Sequence, residues 1–334
     1  MTRIKDQSDQ RLDDAARAGW LYYVAGNTQE DIAAKLKVSR QTAQRLVSLA
    51  VSEGLIRVRL EHPIAECMDL ADKLQARFKL DHVEVAPSDP ASSSTTIGVA
   101  EAVAAEIEKR LRSVEPIVLA IGTGRTLKAA ADLLPRTECA QHRIVSLTGN
   151  IGPDGSAAYY NVIFGMADAI KARHFPFPLP VFASSAREKE LLHSQTMIRA
   201  TLNLAASADV AFVGIGDLMP DAPLLVDGFI TQDELSALRA AGAVGEIVGW
   251  AFDAAGQLIE GLTNDRVASA PIPNRDRSLV VAAAMGRRKL AAIRAALTSR
   301  MVNGLITDEA TAAGLLAMDT IAFSGPAATT PRAN

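Results

Sequence analysis

The 334-residue chain balances 35 Lys and Arg against 38 Asp and Glu, a formal net charge of −3, and 49% of it is hydrophobic. That composition excludes a disordered chain and a protein that coats nucleic acid along its whole surface, and it leaves material for a small head and one large α/β domain. The longest apolar runs, at 116–121 and 210–215, are strand-length and far short of the ~20 residues of a membrane helix, so no membrane partner is expected.

The N-terminal decapeptide MTRIKDQSDQ is polar and has no secretory core, which leads us to expect a cytoplasmic protein. Residues 13–24 place Ala16, Trp20 and Tyr23 at helical spacing, and these predict the buried face of a supporting helix. Thr28 followed three residues later by Asp31 resembles a capping box, so a second helix is expected from Gln29 with Ile32, Ala33 and Leu36 buried. Lys37-Val38-Ser39 is the turn. Ser39 is a suitable N-cap for a third helix, whose inner stripe is Ala43, Leu46, Val47 and Ala50 and whose outer face is Arg40, Gln41, Thr42, Gln44 and Arg45.

This is the layout of a helix-turn-helix, in which the second helix of the pair enters the major groove. Arginine pairs with guanine O6 and N7 and glutamine with adenine N6 and N7, while the helix start at Ser39 attracts phosphate. The alternating run Gly54–Leu60 suggests a short strand that presents Arg57 and Arg59 as a wing. Residues 1–60 carry ten Lys and Arg against seven Asp and Glu, so a mildly basic head sits on an acidic body. The competing reading of the head is a small helical subdomain with a solvated polar face.

The division expected is a DNA-binding head at 1–60, a linker or oligomerisation helix at 61–82, an effector domain at 83–320 and a flexible tail at 321–334. From Val83 onward, apolar strands alternate with amphipathic helices: strands at 83–86, 116–121, 143–148, 208–214 and 280–284, a helix at 95–111, and a last strand and turn at 301–309 capped by Asp308. The pattern predicts a doubly wound, mostly parallel α/β sheet covered on both faces, with ligands beyond the carboxyl ends of its strands. Glycines cluster at those ends.

Gly122-Thr123-Gly124-Arg125-Thr126 follows one strand and precedes a helix expected near Leu127, a setting in which backbone amides and three side chains can cradle a phosphate or a polyol hydroxyl. An ordinary packing turn is the competing reading. Thr148–Gly152, with Gly149 and Asn150, and Gly214–Leu218, with Gly216 and Asp217, are expected as two further loops. Arg287, Arg288 and Lys289 open a helix at Leu290, against its dipole, and so invite an anion, Lys289 above all. GxGxxG is incomplete at Gly122, no GxSxG occurs, and the five histidines show no ligand spacing, so neither cofactor nor metal is expected. Cys67 and Cys139 read as structural thiols.

Taken in order, QEDIAAKLKVSRQTAQRLVSLAVSEGLIRV, GTGRTL, ADVAFVGIGDL, LSALRAAGAVGEIVGWAFDAAGQLI, GRRKLAAIRAAL and VNGLITDEATA closely resemble the SorC/DeoR-type sugar-responsive transcriptional regulators of bacteria, from about Asp13 to Met318. The resemblance implies an operator-binding head, an effector domain built like sugar-phosphate isomerases and deaminases, and assembly as a homodimer or homotetramer. It also implies that Gly122, Thr123, Gly124, Arg125, Thr126 and Lys289 hold a phosphate or terminal hydroxyl of a sugar, polyol or sugar phosphate, with Gly149, Asn150, Gly216 and Asp217 at the sugar. Many such regulators have a glycine pair where this chain has Gly149-Asn150, and another where it has Met285-Gly286. A side chain there admits an unphosphorylated polyol such as mannitol or sorbitol. The alternative is an isomerase- or deaminase-type enzyme, for which Asp217, Asp227 and His193 are candidates that form no motif.

Overall fold

The computed structural model describes residues 2–56, 64–88, 96–152, 154–157 and 160–318, of which 2–9 are described for backbone alone. The chain divides into two compact units, residues 1–63 and 64–334. The first holds α1 (Thr2–Tyr23), α2 (Gln29–Leu36) and α3 (Arg40–Ser52). Its core is Ala15, Ala18, Ile32, Ala43, Leu46, Val47 and Ala50, with Leu21, Leu36, Val38 and Ile56 against it. The inner stripe of α3 is the one its spacing predicts. That of α1 is not: Ala15 and Ala18 are fully buried, whereas Trp20 and Tyr23 are 55% and 42% exposed. The small residues win because α1 and α3 pack closely; a methyl group added at Gly19 would meet Ala50 Cβ and Ile56 Cγ2.

The second unit runs α4 (Ala65–Phe78), β1 (His82–Ala86), α5 (Ile97–Leu111), β2 (Val118–Ile121), α6 (Arg125–Asp132), β3 (Arg143–Ile151), α7 (Val162–Ile170), β4 (Arg173–Pro180), α8 (Ala186–Ser194), α9 (Thr196–Ala206) and β5 (Val210–Gly214). It continues through β6 (Gly216–Asp217), α10 (Pro223–Val226), α11 (Gln232–Ala240), β7 (Ala243–Ile247), β8 (Trp250–Asp253), a 3-10 turn at Leu262–Arg266 and β9 (Leu279–Ala283). A second 3-10 turn at Arg287–Lys289 leads into α12 (Leu290–Thr298), β10 (Gly304–Asp308) and α13 (Glu309–Ala317).

Seven strands form one parallel sheet in the order β1-β10-β9-β5-β2-β3-β4. Alternate residues of β2 and β5 feed opposite faces: Val118, Ala120, Ala211 and Val213 join the layer holding Leu74, Ile293 and Leu315, while Leu119, Ile121, Val210 and Phe212 join the one holding Val103, Leu127 and Ile163. The sheet is therefore covered on both sides, as its apolar strands imply. Prolines 176, 178 and 180 fit β4 because it is an edge strand, with a row of amides that need no partner. The helix expected as a linker, α4, buries Cys67 and Leu74 in the body's own core.

A smaller antiparallel sheet, β6-β7-β8, stands beside the large one with α11 and the Leu262–Arg266 turn. Its core is Leu218, Leu235, Leu238, Ala251 and Val267. The buried Asn264 staples it, with Nδ2 donating to the Ala251 and Ile259 carbonyls and Oδ1 accepting from Ala251 N at 2.8 Å.

Candidate functional site

The α2–α3 pair is built by its caps. Thr28 Oγ1 accepts from Asp31 N at 3.2 Å, and Asp31 Oδ2 accepts from Thr28 N and Thr28 Oγ1 at 3.0 and 2.7 Å. Those bonds from Thr28 hold the exposed Asp31 carboxyl below its ordinary value. Lys37, left-handed at φ 56°, ends α2, and Ser39 Oγ starts α3 by accepting from Thr42 N at 3.1 Å while lying 2.9 Å from Thr42 Oγ1. Thr28, Ser39 and Thr42 thus have hydroxyls committed to the turn. Gln41, Gln44 and Arg45 are exposed and make no hydrogen bond or ion pair among the described residues, and Arg40 meets only Glu30 at 3.1 Å. That exposed bridge is worth ~1 kcal/mol or less and yields readily to a phosphate or a base. The predicted wing falls largely outside the described residues, Arg57 and Arg59 included; Gly54–Ile56, at its start, form a turn rather than a strand.

In the body, β2 leads through α6 to β3 on one side, while its neighbour β5 leads to β9 on the other. A crevice at the carboxyl ends of two adjacent strands whose connections part in this way is where open α/β sheets bind ligands. Gly122 N bonds Phe212 O at 2.8 Å across that boundary, so the Gly122–Gly124 turn and the end of β5 face each other. Gly124 has φ 120°, which a side chain rarely tolerates, and α6 begins at Arg125 with no side-chain cap. This start is two residues ahead of the one expected, and it puts Arg125 and Thr126 in the first turn, beside free helix amides. Thr123 Oγ1 donates to Tyr160 O at 2.7 Å, and Arg125 is exposed and makes no hydrogen bond or ion pair among the described residues.

Two of the three expected loops are strands. Thr148–Ile151 continue β3 against β4 through register shifts, and a Cβ on Gly149 would lie 2.5 Å from the carbonyl of Pro180; Gly149 admits the neighbouring backbone. Beside it, the buried Thr148 Oγ1 and Asn150 Oδ1 have no hydrogen-bond partner among the described residues. Gly216 and Asp217 form β6, paired with Gly245 and Glu246 of β7. A Cβ on Gly216 would collide with the Glu246 carboxylate, which lies in the space glycine leaves.

Glu246 is the residue that reading the sequence missed. Its Oε2 accepts from Gly249 N at 2.7 Å, in a hairpin whose Val248 is held at φ 48°, a strained conformation for a β-branched residue. Burial raises the carboxyl's proton affinity, and the nearby Lys289 opposes the rise. Burial likewise depresses Lys289, against the pull of Asp217 and Glu246 and with the push of Arg125 and Arg288. The buried Asp217 accepts from Arg288 Nη2 at 3.1 Å, and Arg288 also reaches Asp221, with 2.8 Å from Nη1 to Oδ2. Gly286, at φ 109°, aims the Arg287–Lys289 turn while its N donates to Thr311 Oγ1 at 2.8 Å. One crevice thus gathers an uncapped helix start, a poised ammonium and two acids able to accept hydroxyl protons. Of the enzyme candidates, His193 bonds Ala268 O at 2.9 Å and Asp227 ends α10, both in structural roles.

The Sugar-bind model, that of a sugar-binding domain family, matches residues 62–317. The chain belongs to this family. It is similar to the erythritol catabolism regulatory protein EryD of Brucella abortus, 35% identical over 90% of this chain and 96% of that one, and to the transcriptional regulator LsrR of Klebsiella pneumoniae, 33% identical over 91% and 92%. The full-length sorbitol operon regulator SorC from Klebsiella pneumoniae has the same fold, with a TM-score of 0.69 and 24% identity over 90% of this chain and 97% of that one. These relatives are regulators rather than enzymes, and the chain is a sugar-binding transcriptional regulator. No helix among the described residues is long and apolar enough to cross a membrane.

Proposed function

We propose that this regulator controls an operon for the catabolism of a polyol or related sugar, with residues 1–60 on operator DNA and residues 83–320 holding the effector. On DNA, Arg40, Gln41, Gln44 and Arg45 read base edges while Thr28, Ser39, Thr42 and Arg57 meet the backbone. In the crevice, Gly122–Thr126 and Lys289 take a phosphate or terminal hydroxyl, and Asp217, Asn150 and Glu246 accept or donate along the hydroxyl chain beside the backbone of Gly149 and Gly216. The observation that carries this reading is the meeting of Lys289, Asp217, Glu246 and Arg125 at the β5–β2 boundary of a chain that also has a free-faced recognition helix. The names of EryD and SorC support a four- to six-carbon polyol as the class of effector. Function is assigned to a cytoplasmic homodimer or homotetramer, since paired heads match two half-sites.

The test is a gel shift on the chain's own upstream region with erythritol, sorbitol and their phosphates added. Arg45→Ala is expected to weaken operator binding by ~1–3 kcal/mol, and Lys289→Gln to leave it intact while abolishing the response to ligand. Operator binding unaltered in Arg45→Ala, or a ligand response that survives in Lys289→Gln, would contradict the assignment.

A further inference from the structure

Thr148 stands at the carboxyl end of β3, one residue beyond Leu147. Leu147 joins the layer that holds Leu74, so Thr148 faces the other layer, which holds Leu127 of α6. The β2–β3 register pairs Ile121 with Ser146. Carried two residues further, that register sets Thr148 beside Thr123, in the turn that opens the effector crevice.

The Thr148 side chain is 3% exposed, and its Oγ1 has no hydrogen-bond partner among the described residues. A buried hydroxyl without a partner destabilises a fold, so its presence needs a cause. Ser146, two residues back, shows the ordinary solution, with Oγ donating to Thr148 O at 2.8 Å. Thr148 makes no such local bond. Two residues on, the buried Asn150 Oδ1 is in the same condition. A threonine hydroxyl both donates and accepts, but an amide oxygen only accepts. A carbinol hydroxyl, which does both, completes the pair; an ionised phosphoryl group has no proton to give Asn150 Oδ1. The cations of the crevice, Arg125 and Lys289, stand at the helix starts that follow β2 and β9, not on β3.

We infer that Thr148 is a specificity-determining residue, whose hydroxyl bonds a carbinol of the effector, so that the β3 wall admits a hydroxyl end and refuses a second phosphoryl group. The inference rests on the polyol reading given above and narrows it to a free polyol or a polyol monophosphate. A site built to bond a hydroxyl discriminates strongly, because a ligand that cannot make the bond leaves a buried polar group unpaired. Valine has nearly the shape of threonine and no hydroxyl. Thr148→Val therefore removes an unpaired buried group and a ligand contact together, and stability and affinity move in opposite directions. A threonine kept for packing alone gives no such opposition. Thr307 on β10 is the natural comparison: it is fully buried, and its Oγ1 has no hydrogen-bond partner among the described residues. It shares the face of Leu305, in the layer of Leu74, on the other side of the sheet from Thr148.

The test is calorimetric titration of the full chain with erythritol and sorbitol, each free, as its terminal monophosphate and as its terminal bisphosphate, alongside melting temperatures without ligand. Wild type is expected to bind the bisphosphate at least about tenfold more weakly than the tighter of the other two forms. Thr148→Val is expected to melt about 2–4 °C higher than wild type and to bind at least about tenfold more weakly. Thr148→Ser, which keeps the hydroxyl, is expected to bind like wild type. Thr307→Val is expected to melt higher as well, with wild-type affinity. A bisphosphate bound as tightly as the other forms, wild-type affinity in Thr148→Val, or a Thr148→Val that melts no higher than wild type would each overturn this inference while leaving the polyol reading in place. Failure of wild type to bind any of the six compounds would overturn both.

Discussion

Replacing Gly216 by alanine separates the packing of the crevice from its charge. The added Cβ would stand 2.9 Å from Cδ and 3.0 Å from Cγ of Glu246 and would overlap Oε1. Ordinary carbon contacts begin at about 3.5 Å, so the carboxylate must retreat by roughly 0.5–1 Å. It cannot do so and keep the 2.7 Å bond from Gly249 N, the bond that ties the β7–β8 hairpin beneath the Gly122 turn. A hydrogen bond to a charged group contributes about 1.5–3 kcal/mol, so a stability loss of about 2 kcal/mol is expected. Polyol affinity is expected to fall by about 10- to 100-fold, at 1.4 kcal/mol per tenfold. Urea denaturation reads the first quantity and calorimetric titration the second. A variant with the wild-type midpoint and wild-type polyol affinity would refute the role given to Glu246.

Gly149→Ala should behave differently, because its Cβ meets backbone, 2.5 Å from the carbonyl carbon and oxygen of Pro180, which cannot swing aside; we expect a loss of at least about 3 kcal/mol in urea, and a fully stable variant would contradict the close β3–β4 approach. Ser39→Ala removes the acceptor for Thr42 N and should destabilise the head by ~1 kcal/mol in a hydrogen-exchange measurement of α3, with unchanged protection arguing against the cap. The pH dependence of Glu246 has a definite sign. Burial raises its carboxyl above 4.5, so the native state keeps a proton that the unfolded chain has released, and stability falls as pH rises from about 4.5 through the raised value. Glu246→Gln should lack that fall; a wild-type profile rising relative to the variant over the same window would show the sign to be wrong.

Much of the chain was legible because short-range rules agree with the tertiary outcome. The capping box at Thr28, the Ser39 cap and the α3 stripe follow from bonds made within four residues. Strands such as Val118–Ile121 are apolar at every position because both faces are covered. What failed depended on partners distant in sequence. Trp20 and Tyr23 have the right spacing for burial, but the approach of α3 selects Ala15 and Ala18. Gly149 and Gly216 looked like loop glycines, yet each makes room for an atom 30 residues away, Leu179 O and Glu246 Oε1. Glu246 sits in the run Ala243–Ile247 with no motif of its own; the signal that could have found it is a lone acid in a short strand otherwise of Ala, Val, Gly and Ile. The residues of β4 gave no strand pattern, since three prolines are tolerated only at an edge that topology decides.

The central claim, that occupancy of the crevice sets the affinity of the head for DNA, is tested most directly by fluorescence anisotropy of a labelled operator titrated with full chain, with and without saturating polyol. Operator affinity is expected to change by at least about fivefold with the ligand, the lower end of typical allosteric coupling, and to stop responding in Lys289→Gln. An operator affinity identical in both titrations, with calorimetry showing the polyol bound, would contradict it.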